Sequence, residues 1–224
     1  VRMMWYADKA AFRSGQVLGT QWDRDSIGFR SVAMGLDTKA KGFSTTAFGS
    51  SSSALGDVST AMGLGNIAFG SASTAMGLST RAVGFASTST GNTTVARGDQ
   101  STTMGNNTIS RSFASVIIGR FNDTTAMTNL FSWIDTDPAF VIGNGTANNA
   151  RKNALTVLKN GKTGINTFAP QSMLHVIRNS SSNGPIHSNA IVALEDNQNA
   201  YVQFSHTNTK EAGILSGNEL TNIR

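Results

Sequence analysis

Between Ser26 and Gly105 small and larger side chains alternate with period two, and a glycine interrupts the alternation at every seventh residue. These glycines are Gly28, Gly35, Gly42, Gly49, Gly56, Gly63, Gly70, Gly77, Gly84, Gly91, Gly98 and Gly105. Two residues before each glycine stands alanine at nine places (Ala33, Ala40, Ala47, Ala54, Ala61, Ala68, Ala75, Ala82 and Ala96) and Ser26, Ser89 or Thr103 at the rest. Four before, the residue is Ser or Thr except at Arg24 and Asn66. Period two nested in period seven predicts short strands joined by turns. A heptad coiled coil shares the spacing but fails on chemistry, because each helical glycine costs about 1 kcal/mol and no apolar a/d seam accompanies it.

Sorting alternate heptads makes the unit fourteen residues. Met34, Phe48, Met62, Met76 and Met104 precede one set of glycines, with Thr90 as the break, whereas Ile27, Lys41, Leu55, Phe69, Val83 and Arg97 precede the other. If the large-residue face pointed inward, Lys39, Lys41, Arg81 and Arg97 would be buried at a cost of several kcal/mol each. The Ala/Ser/Gly face is therefore predicted inside, its hydroxyls bonded to backbone carbonyls. The glycines are expected to supply the positive-φ or close-approach turns. The predicted fold is all-β: a parallel β-roll of 14-residue coils over residues 15–120, about 35 Å long at roughly 4.8 Å per rung.

Ser59-Thr60-Ala61-Met62-Gly63-Leu64, repeated at Ser73-Thr74-Ala75-Met76-Gly77-Leu78 and anticipated by Ser31-Val32-Ala33-Met34-Gly35-Leu36, resembles the head repeat of YadA-like trimeric autotransporter adhesins. The resemblance covers about half the chain and implies a left-handed parallel β-roll that assembles as a homotrimer. Thr90, Arg97 and Ser112 depart from the pattern near its end. A lone roll buries mainly alanine-sized groups, and a stripe of Met34, Phe48, Met62, Met76 and Met104 on its surface is the kind of patch that marks an interface. We expect this column to line the trimer axis. Beside it Thr46, Thr60, Thr74, Thr88 and Thr102 form a ladder at fourteen-residue spacing. Threonine favours strands and pairs with threonine on the next rung, so the ladder is expected to flank the interface. Ice binding is the rival reading, but it calls for Thr-x-Thr on each rung and only Thr88-Ser89-Thr90 supplies it.

Outside the roll, residues 1–14 are expected to be a strand leading into it, Trp5 to Arg13 resembling the start of the roll in fibre-like surface proteins. Residues 121–177 are expected to be a β connector. There Phe131-Ser132-Trp133-Ile134 and Phe140-Val141-Ile142-Gly143 read as strands, and Ala154 to Ile165 as a hairpin turning at Asn160-Gly161. Residues 178–224 open with a polar linker and read as a further small β module. The connector and this module resemble those of phage-tail-fibre-like proteins. Trp5, Trp22 and Trp133 are expected to be packing residues. Because Val1 is not an initiator methionine and no stop signal follows Arg224, a segment of a longer protein is expected.

Composition narrows the function. Charged residues are 14%, against about 25% in an ordinary domain, so few side chains can do ionic chemistry. The net charge of +5 is scattered, without the basic cluster a nucleic-acid groove or membrane patch needs. There is no cysteine, hence no disulfide framework or thiolate metal site. His175, His187 and His206 lack metal-site spacing, and Asp135 with Asp137 and Glu195 with Asp196 read as solvated turns. No nucleophile elbow, phosphate loop or dinucleotide fingerprint is present, so neither catalysis nor a cofactor is expected. The reading is a non-enzymatic, extracellular homotrimeric fibre of a bacterial surface or secreted appendage that contacts a cell-surface molecule or glycan. A virion tail fibre with the roll as spacer is the alternative.

Overall fold

The computed structural model describes residues 1–177; the expected linker, the C-terminal module, His187, His206, Glu195 and Asp196 lie outside them. The chain begins with β1 (Arg2–Tyr6) and β2 (Ala11–Gln16), an antiparallel pair. Long and short strands then alternate: β3 (Val32–Leu36), β4 (Lys39–Ala40), β5 (Thr46–Ser50), β6 (Ser53–Ala54), β7 (Thr60–Leu64), β8 (Ile67–Ala68), β9 (Thr74–Leu78), β10 (Arg81–Ala82), β11 (Thr88–Asn92), β12 (Val95–Ala96), β13 (Thr102–Asn106), β14 (Ile109–Ser110) and β15 (Val116–Arg120). The series ends with β16 (Pro138–Asn144), β17 (Asn153–Leu158), β18 (Thr163–Ile165) and β19 (Leu174–Val176). From β2 to β16 the long strands stack in parallel in one sheet, and the short strands stack in parallel in a second sheet of six. The fold is an all-β parallel solenoid with a fourteen-residue repeat.

Neighbouring long strands fall in strict register: Ala33 beside Ala47, Ala47 beside Ala61, Ala61 beside Ala75. These alanines and those of the short strands are fully buried and form one continuous core. Between them run buried hydroxyls, of which Thr45, Ser87 and Ser101 donate to the carbonyls of Gly42, Gly84 and Gly98 at 2.6–2.8 Å. Asn66 breaks the Ser/Thr column yet is fully satisfied. Its amide donates to Met62 and Gly77 carbonyls, and its oxygen accepts from the Thr80 amide and hydroxyl. A larger side chain inside so thin a tube would displace a rung.

The turns differ from expectation. Left-handed corners are occupied chiefly by non-glycine residues, one series at Asp37, Ser51, Ser79, Thr93 and Asn107 and the other at Arg30, Ser44, Val58, Ala72, Ala86, Gln100 and Ala114. The corner amides continue the ladder into the preceding coil, Ser79 N to Leu64 O at 2.8 Å and Val58 N to Phe43 O at 2.7 Å. Those hydrogen bonds offset the roughly 1 kcal/mol cost of the conformation. Gly35, Gly49, Gly63, Gly77, Gly91 and Gly105 stand instead inside the long strands with φ between 106° and 118°. The other six take no positive φ and sit at the approach to the second corner. What both sets share is crowding, since a Cβ on either would overlap the backbone of the glycine or serine one coil on.

The first coil is closed by a different set of residues. Arg13 occupies the alanine column beside Ala33 and is fully buried, donating to the carbonyls of Phe12, Ser31 and Ala40 and to the Ser31 hydroxyl. Burial pushes its guanidinium down to about 10 from the ordinary value near 12.5. Trp22 is buried with its indole N–H on the Thr38 carbonyl, a packing role as expected, whereas Trp5 and Trp133 are mostly exposed.

The roll does not stop at Gly119. β16 continues the parallel stack, but the register steps from Val116 to Phe140 where the preceding step runs from Thr102 to Val116. The additional residues form a loop, and Phe131–Ile134, expected as a strand, lies in it without strand pairing. β17 and β18 form the expected hairpin, with Gly161 at φ 86°, and β19 joins parallel to β18.

Candidate assembly surface

From β3 to β15 every long strand turns its second residue into the core, so its first, third and fifth face outward. Parallel register stacks like positions into columns. The third positions bring Met34, Phe48, Met62 and Met76 side by side, then Thr90 and Met104. The first positions bring Thr46, Thr60, Thr74, Thr88 and Thr102 into one ladder flanked by Val32 and Val116. In the isolated chain Met34, Met76 and Met104 are 40%, 41% and 48% exposed, while Phe48, Met62 and the threonines are half-buried.

The column is longer than its repeat. Ile118 and Ile142 extend it past Met104. Antiparallel pairing then keeps the same face, because Leu155 stands opposite Ile142, Ile165 opposite Leu155, and Val176 beside Ile165. At the other end Met3 stands opposite Ser14, the neighbour of Met34, and Trp5 opposite Phe12. One uncharged strip thus crosses all thirteen strands of the sheet, about 58 Å at the usual strand spacing. Sequence reading missed its ends for a definite reason: the longer step between Ile118 and Ile142 hides their kinship, and the hairpin residues join only once register is known. Burying one such Met, Phe or Ile contributes roughly 1.5–3 kcal/mol.

The loop between β15 and β16 is a strap across the edge of the last coils. The carbonyls of Leu130 and Asn129 accept the amides of Asp99 and Phe113, each at 2.8 Å. Asp137, expected in a solvated turn, is fully buried and anchors the strap by accepting the amides of Thr128 and Asn129 and the Thr128 hydroxyl. Lys159 places its ammonium 4.9 Å from the centre of the Trp133 ring and 5.7 Å from that of Phe113, without a hydrogen-bond partner. Burial pushes its pKa down, partly countered by Asp137. Trp133→Ala removes one wall of this cation–π slot and about 1 kcal/mol or more. Hydrogen exchange at the Asp99 and Phe113 amides is expected to quicken roughly tenfold, with the amides of β5–β9 unchanged.

No family model, curated protein or solved structure matches this chain. The surface must therefore be judged on its own chemistry. Among the described residues no three His, Cys, Asp or Glu side chains come together in a metal-sized group. His175, the one histidine described, accepts the Gln171 amide at its Nδ1. A shallow, mostly apolar pocket lies between the strap and the segment after the hairpin, lined in part by Leu158, Phe168, Pro170 and Lys162. The largest organised feature is the uncharged strip itself, suited to close packing against another flat surface of the same period.

Proposed function

We propose that this chain is a non-enzymatic segment of an extracellular homotrimeric fibre, a rod that presents its outward faces to a cell-surface molecule or glycan. The observation that supports it most is the uncharged strip of Met, Phe and Ile on one face of a solenoid whose own interior holds little beyond Ala, Ser and Thr. Such a strip favours association of copies, and the resemblance of its repeat to YadA-like heads favours three. Attachment then works by avidity, because weak contacts made by three copies on one rod gain from high effective concentration.

A virion or injection-particle tail fibre is the second reading, supported by the β15–β19 region, whose hairpin resembles tail-fibre connectors. Binding of the full chain to arrays of glycans and surface proteins distinguishes the two. Adhesion predicts specific binding that weakens at least tenfold when the chain is dissociated into single copies. Absence of binding by the assembled chain to every array component would remove the adhesive reading and leave the rod as a spacer.

A further inference from the structure

The short-strand sheet lies across the alanine core from the Met column, and its outward positions stack into two columns of their own. Register puts Lys39 and Arg81 in one of them. The ladder continues one residue past each short strand, from Lys41 N on Ala54 O up to Arg97 N on Ser110 O, and puts Lys41, Phe69, Arg97 and Arg111 in the other. Cations far apart in sequence thus meet on one face, over about 24 Å at the usual strand spacing. No Asp or Glu stands in either column. Asp25, Asp37, Asp57 and Asp99 lie outside these strands, and the last three each hold a backbone amide, those of Leu18, Phe43 and Phe85.

The crowding is greatest at one end. Arg81, Arg97 and Arg111 are exposed and occupy three successive rungs, at β10, β12 and β14. Register makes Arg97 and Arg111 direct neighbours, about 4.8 Å apart at the backbone. Like charges side by side on a sheet destabilise it, and neither column supplies a counter-charge. Arg151 adds to the positive field: burial and then the nearby Arg111 push its pKa down, with Asp123 opposing.

We infer that this face binds a linear anionic polysaccharide, laid along the rod with its carboxylate or sulfate groups on the arginines. The inference rests on the adhesive reading above and names the class of target. Guanidinium groups pair with such oxyanions through two parallel hydrogen bonds, which also relieves the repulsion between Arg97 and Arg111. Phe69, 60% exposed, stands in the same column as Lys41 and Arg97, two rungs or about 10 Å from each. The C–H face of a sugar ring packs on such a phenyl ring, and a pyranose residue in an extended chain is about as long as one rung. Single-stranded nucleic acid would call for successive aromatic platforms under its bases, and this face offers one. Because the Met column points the other way, the face stays open in an assembly built on that column.

The test is titration calorimetry of the full chain with a heparin octasaccharide, which carries sulfates, an oligogalacturonate, which carries carboxylates alone, and a neutral dextran of equal length. Binding of one or both acidic oligomers, none of dextran, and weakening with added salt are expected, and the stronger of the two identifies the anionic group. Arg97→Ser with Arg111→Ser should weaken that binding at least tenfold with an unchanged β-sheet spectrum, and Phe69→Ser several-fold. Arg2→Ser with Arg120→Ser removes the same charge from the long-strand sheet and should change it less than twofold. Equal weakening by both arginine pairs, or tighter binding of oligothymidylate than of either acidic sugar, would overturn the inference. So would binding of neutral glycans alone, which would leave the adhesive reading standing; a chain that binds no glycan or surface protein at all would overturn both.

Discussion

Gly77→Ala is expected to destabilise the solenoid by on the order of 3–5 kcal/mol. Gly77 sits inside β9 at φ 117°, where an L side chain is strained, and an alanine Cβ would overlap the Gly91 carbonyl oxygen of the next coil. Neither backbone can step aside without breaking the rungs between β9 and β11, from Thr74–Thr88 to Leu78–Asn92. Because each coil contacts only its neighbours, the damage should divide the rod at that level. Urea unfolding followed by far-UV circular dichroism should show a lowered midpoint or a second transition. Gly65→Ala is the control. Gly65 is also left-handed, at φ 67°, but it lies at a corner, an added Cβ meets only the Ser79 hydroxyl at 3.6 Å, and Ser51 and Ser79 occupy the same corner in adjacent coils. Its cost should stay within about 1 kcal/mol.

Replacing Met62 and Met76 together by lysine is expected to dissociate the assembly while leaving the coil intact. Both side chains point away from the alanine core and their strands are held by backbone register, so the single chain loses little. In an assembly every copy would forfeit roughly 1.5–3 kcal/mol of burial per methionine and would bring like charges together near the axis. The apparent dissociation constant should rise by several orders of magnitude, read as a concentration-dependent loss of mass in sedimentation with an unchanged β-sheet spectrum. Thr60→Val, on the adjacent ladder, should leave assembly nearly unchanged. A double-lysine variant that sediments like the parent would show that this face is not where copies meet.

The roll was legible because its interior admits so few residue types. Ala, Ser and Thr recur inside for reasons of volume, and the exclusion of Lys39, Lys41, Arg81 and Arg97 from so thin a tube decides which face is which. The role of the glycines was only half legible. Their spacing announced the coil, but crowding against the neighbouring backbone, rather than the turn, explains most of them, and that crowding exists only once coils are stacked. Arg13 shows a different limit: a charged residue in the alanine column makes sense only as the plug of a tube end, held by three carbonyls and a hydroxyl from separate segments. The strap was misread for a related reason. Phe131 to Ile134 carries the composition of a strand, yet its neighbours Asn129 and Leu130 spend their carbonyls on corner amides more than ten residues earlier in the chain. The outward uncharged column was legible where the period held, at Met34 to Met104, and invisible at Met3, Ile142, Leu155 and Ile165, where pairing direction or loop length changes.

Sedimentation equilibrium of the full-length chain bears most directly on the idea that the uncharged strip joins copies of the chain. A single species of three times the 23.5 kDa chain mass, stable to dilution into the nanomolar range, is expected. A folded β-sheet species holding at 23.5 kDa across the same range would mean that the strip of methionines faces water and that the rod stands alone.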